Sequence, residues 1–120
     1  MKRILVVDDD ASMARAVERL LKARGFEVET FFTVDGFVER ANLRDAACLV
    51  LDIDVNGTSG IALKRRLTEA GFSLPVIFIT ASVAEATRRA ALSAGCVAYL
   101  SKPFSSKELV AAVEAAQGNA

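Results

Sequence analysis

Short apolar runs recur along the chain, separated by segments of mixed polarity. Four of them, at 4–7, 48–51, 74–79 and 97–100, contain no internal polar residue. The runs at 48–51 and 74–79 are typical of strands buried in a sheet, and those at 4–7 and 97–100 also predict strands. Residues 26–32 instead alternate polar and apolar side chains, which predicts a strand exposed on one face and nearer an edge. The pattern therefore predicts five strands.

A segment with the apolar spacing of an amphipathic helix follows each predicted strand. Ser105 and Glu108 have the spacing of a capping box before the last of these segments. Three of the loops that connect a predicted helix to the next predicted strand contain a glycine, at Gly25, Gly71 and Gly95. The first predicted helix includes residues 13–22. The second runs from Thr33 to about Asn42, the third from Thr58 or Ser59 to Gly71, and the fourth from about Ala84 to Ala94. The fifth begins at Ser105.

Alternation of strand and helix favours an α/β fold. Successive βαβ units with right-handed crossovers produce a parallel sheet covered on both sides by helices. No linker or low-complexity tract interrupts the pattern, so we expect residues 1–120 to form one domain.

Composition excludes several classes of function. Apolar residues make up 52% of the 120 residues, and 15 basic residues balance 15 acidic ones, so no net charge favours nucleic acid or a membrane. We expect a cytoplasmic protein, because the N-terminus lacks a signal peptide, and Cys48 and Cys96 are expected to be reduced core thiols. Histidine is absent, which excludes a Ser-His triad and histidine-bound zinc.

Polar side chains follow four of the predicted strands. Asp8 and Asp9 end the first strand, Asp52 the third and Thr80 the fourth, while Lys102 follows the fifth. Because the carboxyl ends of parallel strands share one edge, we expect these groups to converge in one crevice.

The converging groups have the chemistry of a phosphoryl-transfer site. Three close carboxylates repel one another unless a cation holds them, and Mg²⁺ prefers such oxygen ligands. A lysine and a hydroxyl complete a set suited to phosphoryl transfer, in which a carboxylate can itself be the acceptor. Each residue alone has an ordinary interpretation, and Asp10 is better explained as a helix N-cap. The combination on four strand ends favours a site.

Four segments of the chain carry a family resemblance, in the family's own order. They are Val6-Val7-Asp8-Asp9, Leu51-Asp52 with Gly57 and Gly60, Ile79-Thr80-Ala81, and Tyr99-Leu100-Ser101-Lys102-Pro103-Phe104. Through them the chain resembles, over essentially its whole length, the receiver domain of two-component response regulators. The resemblance implies a flavodoxin-like (βα)₅ fold with a parallel five-stranded sheet in the order 2-1-3-4-5.

The resemblance also implies the chemistry of the site. Asp52 would accept a phosphoryl group from a phosphohistidine on a sensor histidine kinase or a histidine phosphotransfer protein. Asp8, Asp9, Asp52 and the backbone carbonyl of Asp54 would hold Mg²⁺ (or Mn²⁺), and Lys102 would contact the phosphoryl oxygens. The domain would catalyse only its own phosphorylation and dephosphorylation, and would not otherwise be an enzyme.

A conformational switch is part of what the resemblance implies. The Thr80 hydroxyl and the Ala81 amide would bind the phosphoryl group, and Tyr99 would turn inward as Thr80 moves. An equally good interpretation of Tyr99 is an ordinary half-buried strand aromatic. The face built from the fourth helix, fifth strand and fifth helix would then change its affinity for an unidentified downstream protein. We expect the domain to make no direct contact with nucleic acid or membrane. It would be a monomer or a phosphorylation-dependent dimer, and either a stand-alone receiver or part of a larger regulator.

Two residues depart from the family pattern. Asn56 stands where the family usually has proline, which predicts a less rigid loop. Asp54, two residues past the acceptor, brings an extra carboxylate that would affect the lifetime of the phosphorylated state.

Three other functions are compatible with parts of the sequence. The Asp52-Ile53-Asp54 loop resembles the nucleophile loop of haloacid-dehalogenase-type phosphatases, although here the acid pair precedes it. A flavodoxin-like FMN module would need a phosphate-binding loop where Asp8, Asp9 and Asp10 stand. A receiver-like domain that only docks partners would fail to bind Mg²⁺.

Overall fold

Five parallel strands form the central sheet of the protein, whose computed structural model describes residues 2–118. The sheet order is β2-β1-β3-β6-β7, and a separate two-stranded hairpin contains β4 and β5. Without that hairpin the order is the expected 2-1-3-4-5, so the predicted fold is confirmed. The elements are β1 (Arg3–Val7), α1 (Ala11–Ala23), β2 (Glu27–Phe31), α2 (Val34–Arg40), β3 (Ala46–Asp52), β4 (Asp54–Val55), β5 (Thr58–Ser59), α3 (Gly60–Glu69), β6 (Val76–Thr80), α4 (Glu85–Ser93), β7 (Ala98–Ser101) and α5 (Ser106–Gly118).

Alternate side chains of the central strands enter two separate cores, one on each face of the sheet. In β1, Leu5 and Val7 pack on the side covered by α2, α3 and α4, whereas Ile4 and Val6 pack on the side of α1 and α5. Both sets are fully buried. Burial of both faces explains why the sequence of these strands is continuously apolar.

Strand β2 lies at the edge of the sheet beside β1, as its alternating sequence predicts. Glu27 and Glu29 are exposed, while Phe31 is buried. Phe31 packs edge-to-face against Phe37 of α2, with the ring centroids 5.6 Å apart.

The predicted helix caps are present. Ser105 Oγ accepts a hydrogen bond from the Glu108 amide (3.0 Å), and Glu108 Oε1 accepts one from the Ser105 amide (2.9 Å). Thr33 Oγ1 likewise accepts from the Gly36 amide at 2.9 Å. These contacts satisfy N–H groups that the first turn of a helix leaves free.

Two apolar residues in the segments predicted as helices are exposed. Val38 on α2 is 49% exposed, and Ala70, which directly follows α3, is also exposed. α2 ends at Arg40 rather than near Asn42, so it is shorter than the sequence pattern predicts. Within residues 2–118, none of the helices combines the length and apolarity needed to cross a membrane.

Candidate functional site

The carboxyl edge of the sheet brings three acidic side chains together. Asp8 follows β1, Asp9 follows it directly, and Asp52 is the last residue of β3. One carboxylate oxygen from each lies within 4.8 Å of the others. Asp8 is completely buried and Asp52 is 6% exposed, whereas Asp9 faces solvent. The predicted convergence of these residues is therefore present in the structure.

Lys102 lies opposite the carboxylates. Its Nζ donates to Asp52 Oδ2 at 3.0 Å and lies 3.3 Å from Asp8 Oδ2. The Lys102 amide donates to the Thr80 carbonyl at 2.7 Å, which continues the pairing of β6 with β7 and fixes where the side chain starts. The ammonium group thus bridges two buried acids that are 44 positions apart in sequence.

The pKa values of the buried groups in this crevice result from two opposing effects, burial and ion pairing. Burial raises the pKa of the Asp8 carboxyl, although the Asp10 amide and Lys102 act against that rise. Burial would lower the pKa of Lys102, but its hydrogen bond to Asp52 and the negative charges of Asp8 and Asp52 outweigh burial and raise it. The lysine is therefore held in its charged form.

Backbone amides hold one oxygen of each carboxylate. The Asp10 amide donates to Asp8 Oδ1 (2.9 Å), and the Asp54 amide donates to Asp52 Oδ1 (3.0 Å). These short-range contacts orient each acid from the residue two positions later in the chain. The pattern of side chains along the sequence does not predict these contacts, because main-chain hydrogen bonds leave no mark on it.

The hairpin of β4 and β5 supplies the third such amide. Asn56 N–H donates to Asp9 Oδ2 at 2.8 Å, across 47 positions of sequence. Asn56 and Gly57 both have positive φ, 53° and 85°, as a two-residue type I′ turn requires. The Asn-Gly turn thus closes a hairpin that contacts the site, and the lower rigidity expected of this loop stays a prediction.

Asp54 has a local role in the same hairpin. Its side chain is exposed, and its Oδ1 accepts a hydrogen bond from the Gly57 amide at 2.9 Å. The carboxylate thus supports the turn. The assignment of its backbone carbonyl to a metal ion stays a prediction.

Gly60 permits the close approach of α3 to β3. A Cβ atom at this position would overlap the carbonyl oxygen of Asp52, which is backbone and cannot move aside. The Gly60 amide also donates to the Ile53 carbonyl at 2.7 Å. The sequence analysis included Gly60 only in the family resemblance, and the structure gives the steric reason for glycine.

Thr80 and Tyr99 occupy neighbouring strands. Thr80 is 3% exposed, and its Oγ1 accepts a hydrogen bond from the Ser82 amide at 2.9 Å. Ala81 follows it at the exposed start of the loop to α4. Tyr99 is half-buried, pairs in register with Phe78 and packs against the core beneath α4. Both proposed interpretations of Tyr99 are compatible with this position.

The donor set fits a hard divalent cation. Asp8 Oδ2 is buried, with Lys102 Nζ 3.3 Å away, and carboxylate oxygens from Asp9 and Asp52 lie close by. One lysine balances only part of the negative charge of three clustered carboxylates, so a second cation would stabilise them. Oxygen-only ligands without histidine or cysteine match Mg²⁺ or Mn²⁺ better than zinc.

Comparisons with known proteins agree with one another. A family model described as the response regulator receiver domain matches residues 4–114. The response regulator protein TodT from Pseudomonas putida is 34% identical over 113 residues, which cover 94% of this chain and 50% of TodT. The chain thus spans about half the length of the curated relatives it matches.

Solved structures give the same result. A response regulator receiver protein from Burkholderia phymatum is 41% identical, with a TM-score of 0.85, and the match covers 100% of this chain and 98% of that one. A response regulator from Burkholderia pseudomallei is 26% identical with a TM-score of 0.83, over 94% of this chain and 66% of that one. Its structure contains a phosphorylated aspartic acid, a calcium ion and citrate.

Proposed function

Because this chain belongs to the family of response regulator receiver domains, modules of two-component signalling, we propose that Asp52 is its phosphoryl acceptor. The donor is a phosphohistidine on a sensor histidine kinase or a histidine phosphotransfer protein. The observation that carries the proposal is the ion-paired cluster, in which Lys102 Nζ lies 3.0 Å from Asp52 Oδ2 and 3.3 Å from Asp8 Oδ2.

The reaction uses few residues of the chain. An oxygen of the Asp52 carboxylate attacks phosphorus, the P–N bond to the donor imidazole breaks, and the imidazole leaves with its electron pair. The Asp54 amide orients the acceptor through Oδ1. Lys102 is already charged and within reach of the acceptor. Its ammonium group exchanges the hydrogen bond to Asp52 for hydrogen bonds to the phosphoryl oxygens, whose charge grows in the transition state.

Asp8, Asp9, Asp52 and the Asp54 carbonyl would hold Mg²⁺ or Mn²⁺. A bound divalent ion supplies neutralisation of the phosphoryl oxygens and of the clustered carboxylates. The cluster of three carboxylates, which one lysine neutralises only in part, supports this proposal. Asn56 holds Asp9 toward the cluster through its amide, so the hairpin contributes indirectly.

Phosphorylation would act on the rest of the domain through Thr80 and the Ala81 amide. Their move toward the phosphoryl group would free space for Tyr99, and the face formed by α4, β7 and α5 would change its affinity for a downstream protein. Only a few kcal/mol of difference between two conformers is needed for such a shift.

Other aspects of the proposal concern the protein in the cell. We place the domain, residues 1–120, in the cytoplasm as a monomer or a phosphorylation-dependent dimer. It contacts neither nucleic acid nor membrane itself. It catalyses no reaction beyond phosphorylation and dephosphorylation of Asp52, and the curated relatives are regulators.

Labelling with acetyl phosphate and Mg²⁺ tests the acceptor. The wild-type protein should gain one phosphoryl group that is lost in Asp52→Asn and when the metal is chelated. Asp10→Asn is the matched control, because Asn caps a helix as well as Asp and Asp10 Oδ1 bonds only to the Met13 amide of α1. Retained labelling of Asp52→Asn would contradict the site, and turnover of a phosphate ester would favour the phosphatase alternative.

A further inference from the structure

An apolar groove lies between α2 and α3, and none of its residues takes part in the proposed phosphoryl chemistry. Its volume is about 530 Å³. It is lined by residues of both helices and of the two loops that follow them: Phe37, Val38, Ala41, Asn42, Leu43, Arg44, Leu63, Arg66, Leu67, Ala70 and Phe72.

The walls of the groove expose large apolar side chains. Leu63 and Leu67 are buried at its base, while Val38 is 49% exposed and Phe72 is 45% exposed. Exposed apolar surface that lines a concave groove is typical of a binding site, whereas the same residues scattered singly would need no explanation.

Two arginines give the groove its charge. Among the described residues, Arg44 and Arg66 are the only ionisable ones that line it. Neither forms a salt bridge with another described residue. The groove therefore offers an apolar surface with two guanidinium groups available to carboxylates.

We propose that this groove docks an amphipathic helix of another protein, with acidic residues beside its apolar face. A third helix can seat its apolar side chains in the groove between two neighbouring helices. Its carboxylates would meet Arg44 and Arg66. A second copy of this chain fits less well, because a symmetric contact would bring the arginines of both copies into one interface.

A pair of synthetic peptides tests the proposal. Both are 14-residue helices with leucine at the same four positions, and one has glutamate and the other lysine at the flanking positions. Fluorescence anisotropy should show that the wild-type domain binds the glutamate peptide at least about tenfold more tightly than the lysine peptide. The double variant Arg44→Glu/Arg66→Glu should reverse this preference.

Matched variants distinguish binding in this groove from general electrostatic attraction to the protein surface. Arg65→Glu changes the neighbouring exposed arginine of α3, which does not line the groove, and should leave the affinity within about twofold of wild type. Val38→Asp should weaken binding of both peptides at least tenfold. All variants should keep the far-UV circular dichroism spectrum and the urea midpoint of the wild type, which shows that they are folded and keeps this test independent of the proposed function.

Several outcomes would overturn the proposal. These are equal loss of affinity in Arg65→Glu, no saturable binding of the glutamate peptide, or unchanged binding in the double variant. Dimerisation of the wild type that the double variant abolishes, seen by sedimentation, would assign the groove to a second copy. Binding to anionic phospholipid vesicles that exceeds binding to the peptide would assign it to a membrane surface.

Discussion

The ammonium group of Lys102 neutralises two acids that the fold buries together. Among the ion pairs of the described residues, those of Lys102 join a largely buried cation to buried carboxylates. The side chain of Lys102 is 18% exposed and that of Asp8 is 0% exposed. Pairs of this kind cost more to break than exposed pairs, because the remaining charges stay desolvated.

The variant Lys102→Met should therefore be less stable than wild type in the absence of metal, by about 1–3 kcal/mol in the free energy of unfolding. Saturating Mg²⁺ should reduce the difference, because a divalent ion replaces the missing positive charge. Urea denaturation with and without Mg²⁺ measures both effects. Lys107→Met on the exposed side of α5 is the control and should change stability by less than about 0.5 kcal/mol. Wild-type stability of Lys102→Met without metal would contradict this account.

At the scale of elements, short connections fix the geometry of the site. The β4–β5 hairpin holds Asp9, and the start of α3 packs directly on the Asp52 carbonyl. Both contacts depend on backbone conformation, so the expected effects of substitution follow from φ angles and from the space available for a Cβ atom.

Replacement of Asn56 by proline should damage the hairpin. Proline requires φ near −65°, whereas Asn56 has φ 53°, and proline lacks the N–H that reaches Asp9. We expect a loss of roughly 2–3 kcal/mol in stability and weaker Mg²⁺ binding, measured by titration calorimetry. Asn56→Gly keeps both the amide and the positive φ and should bind Mg²⁺ as the wild type does. Normal metal binding by Asn56→Pro would refute the role of the amide.

Replacement of Gly60 by alanine should displace the end of β3, where Asp52 lies. The added Cβ overlaps backbone, so we expect a loss above about 2 kcal/mol and slower phosphorylation of Asp52. Gly25→Ala is the control, because Gly25 has φ 91° but open space around its Cβ position, which leaves only conformational strain of about 1 kcal/mol. The steric argument fails if the two variants lose equal stability and phosphorylate at equal rates.

For the whole molecule, the sheet centre is the region most protected from solvent. Cys48 lies in β3, between β1 and β6, is fully buried, and burial raises its thiol pKa to about 12. Its reactivity therefore reports on opening of the entire sheet rather than on local motion.

Alkylation of Cys48 by iodoacetamide should require global unfolding. In a Cys96→Ser background, the free energy of opening derived from the alkylation rate should equal the free energy of unfolding from urea titration. Adding Mg²⁺ should slow alkylation in proportion to the stabilisation it gives. Fast alkylation that does not depend on urea concentration would show that β3 opens locally.

Much of this architecture was predictable from sequence because burial on both sides leaves a strong pattern. The continuous apolar runs predicted the central strands, and the alternation at 27–31 predicted the edge strand β2. The spacing of Ser105 and Glu108 predicted the start of α5. The convergence of Asp8, Asp52 and Lys102 followed from the rule that parallel strands share one carboxyl edge. The sequence pattern was less informative for the end of α2, which lies at Arg40 rather than near Asn42.

Other features depend on distances that no local pattern records. The amide of Asn56 reaches Asp9 only because a two-residue turn folds β5 back on β4, and Gly60 is required only because α3 passes close to Asp52. The groove between α2 and α3 likewise exists only once both helices are packed. Side-chain polarity along the chain determined which residues are buried and where strands end, because burial acts on each residue separately. Tertiary structure decided which backbone groups meet, because such contacts join residues distant in sequence through atoms that every residue shares.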